Sequence, residues 1–164
     1  MLAFLDRPRL PFILLLGVCS ALLGYGLYLQ AGGGLNPCPM CIMQRYAFVG
    51  IILIALAAAI HRPRGKTRKA YGLALLAAAL AGGGVALRQS WIQRFPPEFA
   101  ECGPDLEFML DSFPLKDALP LIFQGSGDCT AIDWSFLGLS IANWSLACFA
   151  LIAVLSLIGL FRKA

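Results

Sequence analysis

The chain has 164 residues, 59% of them hydrophobic and 13% charged, with a formal net charge of +4 at pH 7. Soluble domains have about 45–50% apolar and about 25% charged residues, so the composition excludes an ordinary soluble domain and indicates a membrane protein. The cations lie beside apolar runs rather than in one basic patch, which argues against a nucleic-acid-binding protein. The length predicts a single membrane domain over residues 1–164.

Four apolar runs are long enough to cross a bilayer, which takes about 20 helical residues. The predicted spans are residues 10–29, 42–60, 70–87 and 141–161. The first run is longer than the apolar part of a cleaved signal peptide, so we expect it to be retained. The third carries small residues at four-residue spacing, which let helix backbones approach closely: Ala74, Ala78 and Gly82.

The distribution of cations predicts the orientation. Arg7 and Arg9, the basic loop 61–69, and the pair Arg162-Lys163 all fall on one side of a four-span arrangement. Cytoplasmic loops carry the excess of Lys and Arg. Both termini and loop 61–69 are therefore predicted to be cytoplasmic.

The two remaining loops, 30–41 and 88–140, are then extracytoplasmic. Within the longer one, residues 113–123 mix apolar and charged side chains in a pattern typical of a short helix lying on the bilayer surface. The predicted fold is an all-α membrane protein: a four-transmembrane-helix bundle with a long extracytoplasmic loop between helices 3 and 4 that contains a short interfacial helix.

A C-x-x-C pair, Cys38 and Cys41, stands at the start of the second span. Exposed N–H groups and the dipole at a helix N-terminus favour the thiolate, which is the reactive form of cysteine. Pro39 suits a first helical turn. The pattern indicates redox chemistry, with a plain structural disulfide or half of a zinc site as the alternatives.

Arg45 lies four residues after Cys41 and seven after Cys38, which places all three on one helix face. An arginine there could stabilise a Cys41 thiolate and donate to a carbonyl or oxyanion of a bound ligand. The alternative is a cation that extends to the lipid head groups.

Two further cysteines, Cys102 and Cys129, lie 27 residues apart in the long loop. They share the C-x-x-C side of the membrane, where disulfides are permitted. Cys19 and Cys148 sit within spans and are expected to be packing residues. The topology thus predicts the disulfides Cys38–Cys41 and Cys102–Cys129; the second could be a simple loop staple, and a four-cysteine zinc site stays open as an alternative.

The combined motifs resemble the disulfide bond formation protein B (DsbB) family of bacterial inner membranes, over nearly the whole chain. The residues that carry the resemblance are Cys38-Pro39-Met40-Cys41-Ile42-Met43-Gln44-Arg45, Phe99-Ala100-Glu101-Cys102, Gly125-Ser126-Gly127-Asp128-Cys129 and Trp134-Ser135-Phe136-Leu137-Gly138-Leu139. Some relatives have a histidine where this chain has Arg88-Gln89, which leaves the role of these two positions open.

The resemblance implies an inner-membrane protein-dithiol:quinone oxidoreductase that reoxidises the periplasmic thiol oxidase DsbA and passes the electrons to the membrane quinone pool. It implies two redox-active disulfides: Cys102–Cys129, which meets DsbA, and Cys38–Cys41, which meets quinone. Arg45 and Cys41 would bind the quinone, which we expect to be ubiquinone or else menaquinone. No metal and no nucleic-acid partner are expected.

Two other protein classes share parts of this pattern. A tetraspanin-like organiser also has four spans and a large disulfide-bonded loop, but this chain has only Cys102-Gly103 in place of a Cys-Cys-Gly motif. A vitamin K epoxide reductase-like enzyme would carry its C-x-x-C on the last helix, and residues 149–160 contain none.

Overall fold

Long apolar runs form helices because a helix satisfies every backbone polar group within the segment, as a bilayer requires. The computed structural model describes residues 9–33, 38–96, 127–130, 132 and 134–161. The elements, in chain order, are α1 (Leu10–Gly33), α2 (Pro39–His61), α3 (Lys66–Arg94), α4 (Gly127–Thr130), β1 (Ser135–Phe136), β2 (Leu139–Ser140) and α5 (Ile141–Phe161). Among the described residues, four helices (α1, α2, α3 and α5) are long and apolar enough to cross a membrane. The predicted four-helix membrane fold is confirmed.

The helix ends differ from the predicted span limits most at α3. This helix continues to Arg94, seven residues beyond residue 87, and so carries polar side chains such as Gln89 and Gln93 on its last two turns. The start of α2 at Pro39 also includes most of the C-x-x-C motif in the helix. The predicted surface helix at residues 113–123 lies outside the described residues.

The α2–α3 connection is tight because the residues at both of its ends have a positive φ. Arg62 caps α2 with φ 50° and donates its N–H to the carbonyl oxygen of Ala58. Gly65, with φ 55°, precedes the first residue of α3. Only glycine adopts such a φ without steric cost, which explains the residue at position 65.

Helix α3 packs most extensively against α5 and then against α2, and α1 packs against α2. The centre of the bundle is the stacked pair Phe48–Phe149, with ring centroids 4.4 Å apart. Gly82 of α3 lies directly against the Phe149 ring. Large apolar side chains such as Leu53, Leu80 and Leu151 are exposed on the outer surface, as expected for helices that face lipid.

A β-hairpin with a two-residue turn precedes α5. Strands β1 and β2 pair antiparallel, Ser135 with Ser140 and Phe136 with Leu139. The turn residues Leu137 and Gly138 both have positive φ, at 54° and 77°, the geometry that matches the twist of a two-residue hairpin. Ser140 then caps α5, because its Oγ accepts the N–H of Asn143 at 3.4 Å. The hairpin thereby holds its aromatic residues at one end of the bundle.

Candidate functional site

The site is built on the first turn of α2. Cys38 is the N-cap residue, in an extended conformation, and its Sγ accepts the backbone N–H of Cys41 at 3.3 Å. The Cys38 thiol donates to Cys41 Sγ across 2.9 Å. A disulfide bond is about 2.05 Å long, so the structure shows this pair as two thiols in contact. The capping geometry follows from the sequence, since Pro39 occupies the first helical position.

Cys129 lies beside Cys38, although 91 residues separate them in the chain. It belongs to the short helix α4, is fully buried, and packs in one cluster with Cys38, Met40, Val85 and Ile92. Hydrogen bonds to Cys129 and then to Cys41, together with burial, raise the pKa of the Cys38 thiol. Cys38 therefore lies in direct contact with two other sulfur atoms.

Two buried glutamines complete the environment of the thiols. Gln89 of α3 donates from Nε2 to Cys41 Sγ at 3.1 Å and to Cys38 Sγ at 3.3 Å. Its Oε1 accepts a hydrogen bond of 2.6 Å from Nε2 of Gln44 on α2. The sequence leaves the role of Gln89 open, as one of two residues that could replace a histidine of some relatives, and it indicates none for Gln44. Gln44 could have been identified as a polar side chain within an apolar span, which is costly and therefore often functional. Gln89 lies two residues beyond the predicted end of the third span, so this signal does not apply to it.

Arg45 is held by α1. Its Nη1 donates to Gln30 Oε1 at 2.5 Å, and its Nη2 donates to the carbonyl oxygen of Gly26 at 3.4 Å. These two contacts use the planar fork of the guanidinium, which a lysine could not reproduce. The cation is thus fixed between α1 and α2 rather than extended along the outer surface.

A cavity of about 330 Å³ brings these groups together. Its polar wall is formed by Cys38, Cys41, Gln44, Arg45 and Gln89. Its other walls are mainly apolar and include an aromatic group made of Tyr25, Trp134, Phe136 and Trp144. An apolar cavity with a few convergent polar groups is the usual form of a small-molecule site.

The aromatic group is ordered by mutual contacts. Tyr25 of α1 meets Trp134 edge to face, with centroids 6.2 Å apart, and Phe136 lies 6.1 Å from Trp144. Trp144 donates its indole N–H to the carbonyl oxygen of Phe136 at 3.1 Å. The hairpin and α5 therefore fix flat apolar surfaces in the wall of the cavity that Cys38 and Cys41 also line.

The structure thus brings four of the five predicted site residues together: Cys38, Cys41 and Arg45 around one cavity, and Cys129 against Cys38. The fifth, Cys102, lies outside the described residues. Cys19 is buried within the helix core, as its place in a span predicted. Over the part of the chain that the structure describes, no group of three or more His, Cys, Asp or Glu residues has the arrangement of a metal site.

Comparison with known proteins agrees with this geometry. The family described as "Disulfide bond formation protein DsbB" matches residues 8–159. Disulfide bond formation protein B of Aromatoleum aromaticum is 63% identical over 163 residues, covering 99% of this chain and 98% of the relative. The protein of the same name from Azoarcus sp. (strain BH72) is 60% identical, over 97% of this chain and 96% of the relative. The one from Polaromonas sp. (strain JS666) is 52% identical, over 96% of this chain and 93% of the relative.

A family match over most of the chain and relatives of this identity confirm the resemblance read from the cysteine motifs. Four helices able to cross a membrane make the chain a multi-pass membrane protein. The chain belongs to the disulfide bond formation protein B (DsbB) family, membrane oxidoreductases of disulfide bond formation.

Proposed function

We propose that this protein reoxidises a periplasmic DsbA-like thiol oxidase and passes the two electrons to a membrane quinone, which makes it a protein-dithiol:quinone oxidoreductase. The observation that carries the proposal is the series of sulfur atoms Cys129, Cys38 and Cys41, in contact one after another and ending at the cavity with Arg45. Disulfide exchange requires such contact, because each sulfur must attack the next.

The first exchange would take place at Cys102. A thiolate of the reduced partner attacks Cys102 of a Cys102–Cys129 disulfide, forms a mixed disulfide and releases Cys129 as a thiolate. The Cys129 thiolate then attacks Cys38 of a Cys38–Cys41 disulfide. A Cys38–Cys129 bond forms, the Cys38–Cys41 bond breaks, and the electron pair leaves on Cys41.

The second exchange restores the loop pair. The second thiolate of the partner attacks the partner sulfur of the mixed disulfide, which re-forms the partner's disulfide and releases Cys102 as a thiolate. Cys102 then attacks Cys129 in the Cys38–Cys129 disulfide, which re-forms Cys102–Cys129 and releases Cys38. The partner has then lost two electrons and two protons and is a disulfide again. Cys38 and Cys41 then hold the two electrons as a dithiol, with their sulfur atoms in contact.

The residues around the cavity fit a quinone. The aromatic group suits a flat ring, and Arg45 and Gln89 are donors suited to carbonyl oxygens. When bound, a quinone supplies a two-electron, two-proton acceptor that leaves as the quinol while Cys38 and Cys41 become a disulfide. Ubiquinone is the expected species and menaquinone the alternative.

The redox poise of the partner supports a quinone acceptor. A DsbA-type oxidase has a reduction potential of about −120 mV, whereas glutathione pools are near −200 mV or lower. Reoxidation of such a partner by glutathione would be uphill, so a stronger acceptor is needed. The proposed location is the bacterial inner membrane, with both termini cytoplasmic and the cysteines of loops 30–41 and 88–140 on the periplasmic side.

The test is quinone reduction by purified protein in lipid nanodiscs, with a reduced DsbA-like oxidase and a short-chain ubiquinone. We expect catalytic loss of the quinone absorbance. Cys129→Ser should abolish turnover. When the partner is supplied in its disulfide form instead, Cys102 of this variant should attack that disulfide and accumulate a mixed disulfide, with the partner's other sulfur released as a thiolate. Cys19→Ala, a matched loss of sulfur in the helix core, should retain turnover.

No quinone reduction by the unaltered protein would contradict the proposal. Quinone reduction that the partner's thiols do not drive would favour a vitamin K epoxide reductase-like activity instead. If the partner is trapped only in a Cys102→Ser variant, through Cys129, then Cys129 and not Cys102 is the cysteine that meets the partner.

A further inference from the structure

A pair of buried amides connects α3 and α2 to the thiols. Gln89 is 2% exposed and Gln44 is 3% exposed. Gln44 Nε2 donates to Gln89 Oε1 at 2.6 Å, and Gln89 Nε2 donates to the sulfurs of Cys41 and Cys38. A buried amide is tolerated only where its polar atoms are paired, so these contacts stabilise a single arrangement.

The contact with Gln44 determines which end of the Gln89 amide faces the sulfurs. An amide has its acceptor at one end and its donors at the other. Because Gln44 donates to the oxygen of Gln89, the N–H group of Gln89 is turned toward Cys41 and Cys38. The reversed amide would place a carbonyl oxygen against the sulfurs, where it would repel a thiolate.

We propose that Gln89 is a catalytic residue that stabilises Cys41 as this sulfur accepts an electron pair, and that Gln44 is a positioning residue that acts through Gln89. The inference rests on the proposed function, in which Cys41 is the leaving sulfur. When the Cys38–Cys41 bond breaks, the electron pair moves to Cys41 and the proton stays on Gln89. A hydrogen bond to an ionised acceptor is roughly twice as strong as one to a neutral acceptor.

The reduced state of the Cys38–Cys41 pair is therefore favoured by the amide. This makes the pair a stronger oxidant and helps the attack of Cys129 on Cys38. Since an amide side chain does not titrate, the contribution is present at every pH at which Cys41 carries the charge.

The test measures the Cys38–Cys41 equilibrium alone, in the full chain with Cys102 and Cys129 changed to Ser. The protein, free of quinone, is equilibrated in glutathione redox buffers, quenched in acid and alkylated, and the oxidised fraction is counted by mass spectrometry. We expect Gln89→Met, a near-isosteric apolar change, to lower the equilibrium constant for reduction roughly tenfold to a hundredfold, or roughly 30 to 60 mV.

Gln44→Met should lower the same constant by a smaller factor, because Gln89 keeps its donor but loses its fixed orientation. The double variant should match Gln89→Met, because Gln44 has no effect once Gln89 is gone. The double variant also leaves neither amide unpaired, so it remains informative if a single variant folds poorly. Ser90→Ala is the matched control: Ser90 follows Gln89 in the chain, and its hydroxyl is buried with no hydrogen-bond partner among the described residues.

A constant within twofold of the parent value in both Gln89→Met and the double variant would overturn the role of Gln89. Additive effects of the two changes would overturn the positioning role of Gln44. Neither quinone nor partner protein is present, so the result stands apart from the test of the proposed function.

Discussion

Among the glycines that the structure describes, Gly82 has the least room for a side chain. A Cβ there would lie 2.5 Å from Cζ and 2.6 Å from Cε1 of Phe149, and 2.8 Å from Cβ of Ala47. Phe149 is 1% exposed and stacks on Phe48, so its ring cannot swing outward without separating from that partner. We expect Gly82→Ala to force α3 away from α2 and α5.

The magnitude follows from two opposing effects. Inserting a methyl group into a well-packed core costs about 1–3 kcal/mol. Ala in place of Gly in a helix contributes up to about 1 kcal/mol in the other direction. The matched control is Gly84→Ala on the same helix, because no described heavy atom lies within 4 Å of a Cβ at Gly84. The control keeps the gain in helix propensity without the clash, so the two variants should differ by about 1–3 kcal/mol in free energy of unfolding.

The assay is equilibrium unfolding in mixed detergent micelles, with increasing dodecyl sulfate and helicity followed by circular dichroism. Gly82→Ala should unfold at a lower denaturant fraction than Gly84→Ala. Equal midpoints for the two variants would refute the close packing of α3 against Phe149.

Two other predictions concern the site and the topology. Arg45→Lys keeps the charge, but a lysine cannot contact Gln30 and the carbonyl oxygen of Gly26 together. We therefore expect the KM for quinone to rise roughly tenfold while the fold is retained. An unchanged KM in both the Lys variant and an Ala variant would leave Arg45 only a structural role. Reporter fusions after Lys66 and after Asp117 should report cytoplasm and periplasm respectively, and a periplasmic signal at Lys66 would overturn the proposed orientation of all the cysteines.

The part of the site that the sequence predicts is local. Cys38, Cys41 and Arg45 fall within eight consecutive residues, and helix periodicity alone places them on one face. The structure places all three around one cavity. The contact between Cys38 and Cys129 depends on the path of a long loop, and topology could bring the two residues only to the same side of the membrane.

The paired glutamines are a tertiary feature. Gln44 and Gln89 are 45 residues apart on different helices, and their contact exists because α2 and α3 pack at that level. Apolar periodicity is weak in helices that face lipid on one side and apolar neighbours on the other. The sequence therefore gives no clear indication of which faces meet.

The small residues of α3 show the same limit. Gly82 lies in the closest contact and Ala78 packs against the core, but Ala74 is exposed. A spacing of four residues exceeds one helical turn of about 3.6 residues, so each step rotates the position by about 40° around the helix. After two steps the first and last residues face different directions, and only part of the series lies against neighbouring helices.

The burial of Cys38 explains why a second cysteine pair would be needed to pass electrons from a protein partner to the C-x-x-C pair. Cys38 is 5% exposed and Cys129 is fully buried against it, so a folded protein partner cannot bring its own thiolate to Cys38 directly. On the proposed function, the electrons must first enter at Cys102 and reach Cys38 through Cys129. A relay sulfur, Cys129, on one side of Cys38 and an apolar cavity beside Cys41 would therefore couple one protein partner to one lipid-soluble acceptor.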